Sequence, residues 1–135
     1  MNFEKDLKQG YARKVPINKL RAENLVSSAE QAIKTAKAIH LDENSAKTIL
    51  RELYEGLREY FEAIGYLNGY KFLSHEVITS FIEDILKNKR IADKFDRYRK
   101  IRNGINYYGE NVEVETVSSA IKEIPELIKE SKRYI

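Results

Sequence analysis

Ser45-Ala46-Lys47-Thr48-Ile49-Leu50-Arg51-Glu52-Leu53-Tyr54-Glu55-Gly56-Leu57-Arg58-Glu59-Tyr60-Phe61-Glu62-Ala63-Ile64-Gly65-Tyr66 is the longest helically periodic stretch of the chain. Ile49, Leu53, Leu57, Tyr60, Phe61, Ile64 and Leu67 fall on one helical face, while Glu52, Glu55, Arg58, Glu59 and Glu62 point mostly outward. The spacing predicts a helix from about Ser45 to Tyr66 or beyond, weakened at its end by Gly65 and Gly69. Upstream, Leu20, Leu25, Ala29, Ala32, Ile33, Ala36 and Ile39 predict a second helix over about Ile17 to Ile39, with small residues that let a neighbour approach closely. His40 to Ser45 supply the intervening caps.

Downstream, Ser74 can cap a shorter helix whose Val77, Ile78, Phe81, Ile82, Ile85 and Leu86 form an apolar face, with Lys87-Asn88-Lys89-Arg90 as its polar end. A further helix over about Ile91 to Tyr108 places Ile91, Phe95, Tyr98, Ile105 and Tyr108 on one side and stops at Gly109. The last helix carries Val117, Ile121, Ile124, Leu127 and Ile128, and Pro125 should kink or split it. Only two prolines and six glycines punctuate the chain, so the pattern predicts an all-α fold, an up-and-down bundle of four to five helices in a single domain spanning 1–135. Residues 1–16, ending at Val15-Pro16, read as an arm or short helix.

Absence of cysteine excludes disulfides and thiolate-metal sites. No apolar run is long enough to span a bilayer, and the N-terminus lacks the apolar region of a signal peptide. A cytoplasmic protein without membrane association is the expectation. Charged residues make up 33% of the chain with a net of only +3, so no global field points to a polyanion and local clusters carry the information.

One such cluster stands out. Between Lys87 and Arg102 lie eight basic residues (Lys87, Lys89, Arg90, Lys94, Arg97, Arg99, Lys100, Arg102) against Asp93 and Asp96. Lys94, Arg97, Arg99 and Lys100 are candidates for nucleic-acid phosphates; the competing reading is a solvated face whose cations favour the helix dipole. Arg99, Arg102 and Asn106 share one helical face, with Tyr107 at its edge, and could converge on one polar ligand. Tyrosine titrates near 10 and makes a poor base at neutral pH, although it can position a substrate. Tyr108 lies on the apolar stripe and is expected to pack beneath the bundle end. Gly104 implies either early fraying of the helix or close approach of a second backbone, as in a symmetric dimer. His40 and His75 lack the two-histidine spacing of a metal helix and read as surface or capping residues. No metal or cofactor site is expected, and the chain has no phosphate-binding glycine loop or serine-nucleophile motif.

Leu53-Tyr54-Glu55-Gly56-Leu57-Arg58-Glu59-Tyr60, then Gly69-Tyr70-Lys71-Phe72-Leu73-Ser74-His75 and later Arg102-Asn103, resemble the HEPN superfamily (higher eukaryotes and prokaryotes nucleotide-binding) over about residues 17–134. The resemblance implies a helical bundle, a homodimer, and an Arg-polar-x(3 to 5)-His motif that forms a metal-independent ribonuclease site between subunits. It also implies pairing with a minimal nucleotidyltransferase in prokaryotic toxin-antitoxin systems. Arg102 and Asn103 match the start of the motif, and Asn106 or Tyr107 would then position the 2′-hydroxyl. The positions expected to carry histidine hold Tyr107, Tyr108 and Gly109 instead. The expectation therefore shifts from cleavage toward RNA or nucleotide binding, with Tyr107 or Tyr108 as an analogue of the tyrosine that the family's transferase modifies. The alternative expectation is a non-catalytic interaction or dimerisation module that docks an acidic partner.

Overall fold

A computed structural model describes residues 2–135. Its elements are α1 (Phe3–Lys8), β1 (Ala12–Lys14), α2 (Lys19–Ala38), α3 (Ala46–Leu67), β2 (Tyr70–Phe72), α4 (Glu76–Asp84), α5 (Lys89–Tyr108), α6 (Val114–Ser131) and a closing 3-10 turn (Lys132–Tyr134). Asparagine side chains start three of the helices. Asn2, Asn18 and Asn88 accept the N–H groups of Lys5, Arg21 and Ile91 at 3.0 to 3.1 Å, satisfying donors that have no partner inside the helix. Ser74 accepts the N–H of Val77 at 3.2 Å and performs the expected capping for α4.

Helix α3 is the axis of the bundle. Ile49, Leu50, Leu53, Tyr54, Leu57, Phe61 and Ile64 are all fully buried. A contiguous apolar core joins them to Phe3 of α1, Ala12 of β1, Ala29 and Ala36 of α2, Phe72 of β2, Phe81 of α4, Phe95 of α5 and Val117 of α6. The small-residue stripe of α2 does what its composition implies. It faces Gly56, and a Cβ added there would lie 3.0 Å from the Ala29 carbonyl oxygen.

Several expectations are revised. Ala12 to Lys14 pair antiparallel with Tyr70 to Phe72, giving an otherwise helical bundle a small ribbon that three-residue strands are too short to announce by alternation. The arm is tied down, because Phe3 is buried among Tyr70, Phe72 and Phe81 and its N–H donates to Asp84 Oδ2 at 2.7 Å. Gly65 does not weaken α3, since the Phe72 ring occupies the space its side chain would need. Leu20 is 68% exposed and Tyr108 78% exposed, so neither joins the core. Glu59, expected outside, is buried. Asn88 opens α5 instead of ending α4, and α6 runs unbroken through Pro125.

Gly109 adopts the left-handed conformation expected of a helix stop (φ 64°). Gly104 does not fray α5, and the space beside it is taken from within the chain. The Glu110 carboxylate folds back over it, and the Glu110 N–H donates to the Gly104 carbonyl at 3.1 Å. Among the described residues no helix is long and apolar enough to cross a membrane.

Candidate functional site

Tyr54 projects from the middle of α3 toward the turn that opens α4, and its hydroxyl lies 3.1 Å from His75 Nδ1. The phenol is buried and has no other hydrogen-bond partner among the described residues. A buried phenol with this one partner satisfies its donor by giving the O–H to Nδ1, and in that tautomer the second ring nitrogen of His75, Nε2, carries the N–H. Burial and the nearby Arg58, Arg102 and Arg99 push His75 down to about 4. Burial also pushes the Tyr54 phenol well above its usual range, against the pull of Arg102, Arg58 and Arg99. Both groups are consequently neutral at physiological pH.

Arg58, Arg99 and Arg102 act on this pair and Arg51 lies one helical step before Tyr54 on α3; the four differ in how their charge is spent. Arg58 is ion-paired to Glu55 and Glu62 on its own helix. Arg99 donates to Asp96 Oδ1 from Nε at 2.9 Å and from Nη2 at 2.7 Å, and Thr79 of α4 donates to the same oxygen at 3.0 Å. Burial would raise the Asp96 carboxyl, but the bonds from Arg99, Lys100 and Thr79 outweigh it and hold the group below the usual carboxylate range. Asp96 thus fastens α4 to α5 behind the site.

Arg102 and Arg51 are placed differently. The Arg102 guanidinium lies over the Tyr54 ring at 5.5 Å and the Tyr107 ring at 5.9 Å, and Nη1 donates to Asn103 Oδ1 at 3.2 Å. Arg51 Nε donates to Asn106 Oδ1 at 2.8 Å. Among the described residues neither arginine has a carboxylate partner. Their charge is compensated by no acid, and a guanidinium offers the planar fork that matches a phosphate.

The structure thus draws Arg99, Arg102, Asn103, Asn106 and Tyr107 to the side of α5 that meets α3. The remaining basic candidates do not converge there: Lys94 pairs with Glu123, Arg97 lies 4.0 Å from the same carboxylate and stacks over Tyr98, and Lys100 sits 3.1 Å from Asp96. Tyr107 is 68% exposed and edges the site through Arg102. Tyr108 stands in solvent beside it, its hydroxyl free of packing.

His75 is the member of the candidate site that the sequence conceals. It lies 21 positions from Tyr54 and 27 before Arg102 in the chain, so no helical spacing links the three. A visible trace is the Arg51, Tyr54, Glu55, Arg58 row on α3, whose polar members recur at helical steps on a face otherwise read as solvent. Comparison with known proteins finds no matching family, no similar curated protein and no similar solved structure.

Proposed function

We propose that this domain binds RNA or a nucleotide by a phosphate group seated between Arg102, Arg51 and the His75 Nε2–H. The observation that carries this reading is the partly buried Arg102, which among the described residues has no ion-pair partner and lies over two tyrosine rings near a neutral imidazole. A cation kept without a counter-ion in a partly dehydrated setting is costly unless a ligand supplies the negative charge. Exposed Tyr107 adds a face on which a base can stack.

Binding is favoured over cleavage by the proton on His75. An imidazole carrying its hydrogen on Nε2, with Nδ1 occupied by Tyr54, donates to a phosphate or a leaving oxygen but cannot take a proton from a 2′-hydroxyl. The HEPN resemblance agrees with Arg102 and Asn103 in this role, and a homodimer meeting at the α5 ends would bring two such sites together at the exposed tyrosines. The same resemblance makes a minimal nucleotidyltransferase of a toxin-antitoxin pair the partner to seek, with Tyr107 or Tyr108 as the residue it would modify. Docking of an acidic protein on α5 is less well supported, because Lys94, Arg99 and Lys100 already face carboxylates of this chain.

Fluorescence anisotropy with a labelled single-stranded RNA of about 20 nucleotides in EDTA, across a salt series, tests the reading. Affinity is expected to fall with salt, and Arg102→Ala to weaken binding and lower the slope by about 0.7. Absence of binding, or an Arg102→Ala variant indistinguishable from the parent, would overturn it.

A further inference from the structure

Helices α2 and α6 enclose a second feature that shares no residue with the arginine site, a groove of about 410 Å³. Its floor is apolar, made by Ile33, Pro125 and Ile128. Its banks are lysines: Lys34 and Lys37 on α2, Lys129 in the last turn of α6 and Lys132 at the start of the 3-10 turn that follows. All four are exposed, and among the described residues none has an ion-pair partner. Glu30 is the one carboxylate on the rim. On α5, by contrast, Lys89, Arg90, Lys94, Arg99 and Lys100 each meet an acid of this chain.

We infer that this groove docks an acidic amphipathic helix of a partner protein, its apolar stripe on Ile33, Pro125 and Ile128 and its glutamates or aspartates between the two lysine banks. The charge pattern selects that occupant. No aromatic side chain lines the groove, so nucleic-acid bases have nothing to stack on, and lysines are point charges without the bidentate fork that favours phosphate. A bilayer would need protruding apolar side chains, whereas these lie on the floor between charged banks. Pro125 to Lys132 span about two helical turns, roughly 10 Å, enough to hold one apolar stripe read at i, i+3 and i+7.

The test uses a 16-residue helical peptide with a leucine stripe flanked by glutamates, a scrambled peptide of the same composition, and a third peptide in which lysines replace the glutamates. Anisotropy is expected to show binding of the glutamate peptide and not of the scrambled one. Lys34→Glu combined with Lys129→Glu, both at exposed positions, should weaken it about tenfold. The lysine peptide should bind that double variant better than the parent. Circular dichroism of the variant should match the parent. No binding of the glutamate peptide, equal binding of the scrambled one, or loss of RNA binding in the double variant with the peptide unaffected would overturn the inference.

Discussion

His75 makes the stability of the domain depend on pH in a way that can be isolated. Its imidazole is held at about 4 in the folded chain against 6.5 for the unperturbed group. Between those values the unfolded chain binds a proton that the folded chain refuses, so stability is fully present above pH 6.5 and falls as pH drops toward 4. For that displacement the loss between pH 7.5 and 5 has a ceiling of about 2 kcal/mol; partial access of water to the ring reduces the expected value to about 1 kcal/mol. Urea unfolding of the parent and of His75→Asn at both pH values measures it. Carboxylates contribute equally to the two proteins, and their difference leaves the histidine alone. The parent should lose about 1 kcal/mol more than the variant on acidification, and an NMR titration should place the His75 midpoint well below 6.5, moving upward in Arg102→Ala because a repelling charge is gone. Bound RNA phosphate should move it upward too. Parallel pH profiles for parent and variant, or a His75 midpoint near 6.5, would refute a desolvated imidazole among arginines.

Two glycines of the bundle should respond oppositely to alanine. Gly56→Ala brings a Cβ to 2.8 Å from Ile33 Cδ1 and 3.0 Å from the Ala29 carbonyl oxygen, which cannot move without shifting α2; the overpacking outweighs the helix-propensity gain, and thermal unfolding should show a net loss of about 1–2 kcal/mol. At Gly104 the obstacle is the carboxylate of Glu110, the tip of a flexible side chain, so Gly104→Ala should displace it into solvent and leave stability unchanged or raised by up to about 1 kcal/mol in urea unfolding.

The helices were legible because long amphipathic periods and cap residues are local properties. The register of α3 and the small-residue face of α2 follow from spacing alone, as does the halt at Gly109. What escaped depends on contacts between distant segments. Phe3 and Phe72 are isolated aromatics in the sequence and become core only when α1, β2 and α4 meet. Tyr108 sits on the right helical stripe, yet the last turn of α5 leaves that residue in water. At the candidate site, Arg102, Asn103, Asn106 and Tyr107 were legible from the helix that bears them. His75 was not, since its chemistry is conferred by Tyr54 and by arginines on two other helices. The count of basic residues on α5 was equally uninformative about their availability, which depends on Asp96 and Glu123.

Tyr54 belongs to two parts of the molecule at once: its ring packs 5.7 Å from Phe95 in the core while its hydroxyl bonds the half-buried His75. A genetic screen for lost activity would therefore return Tyr54 variants that are simply poorly folded, and they would be indistinguishable by phenotype from variants of the site. Arg51, Arg102 and Asn106 escape that ambiguity, because none of them is a member of the core. Conversely, a ligand that engages Nε2 tightens a network rooted in the hydrophobic interior, so occupancy should register as a rise in melting temperature that grows with ligand concentration.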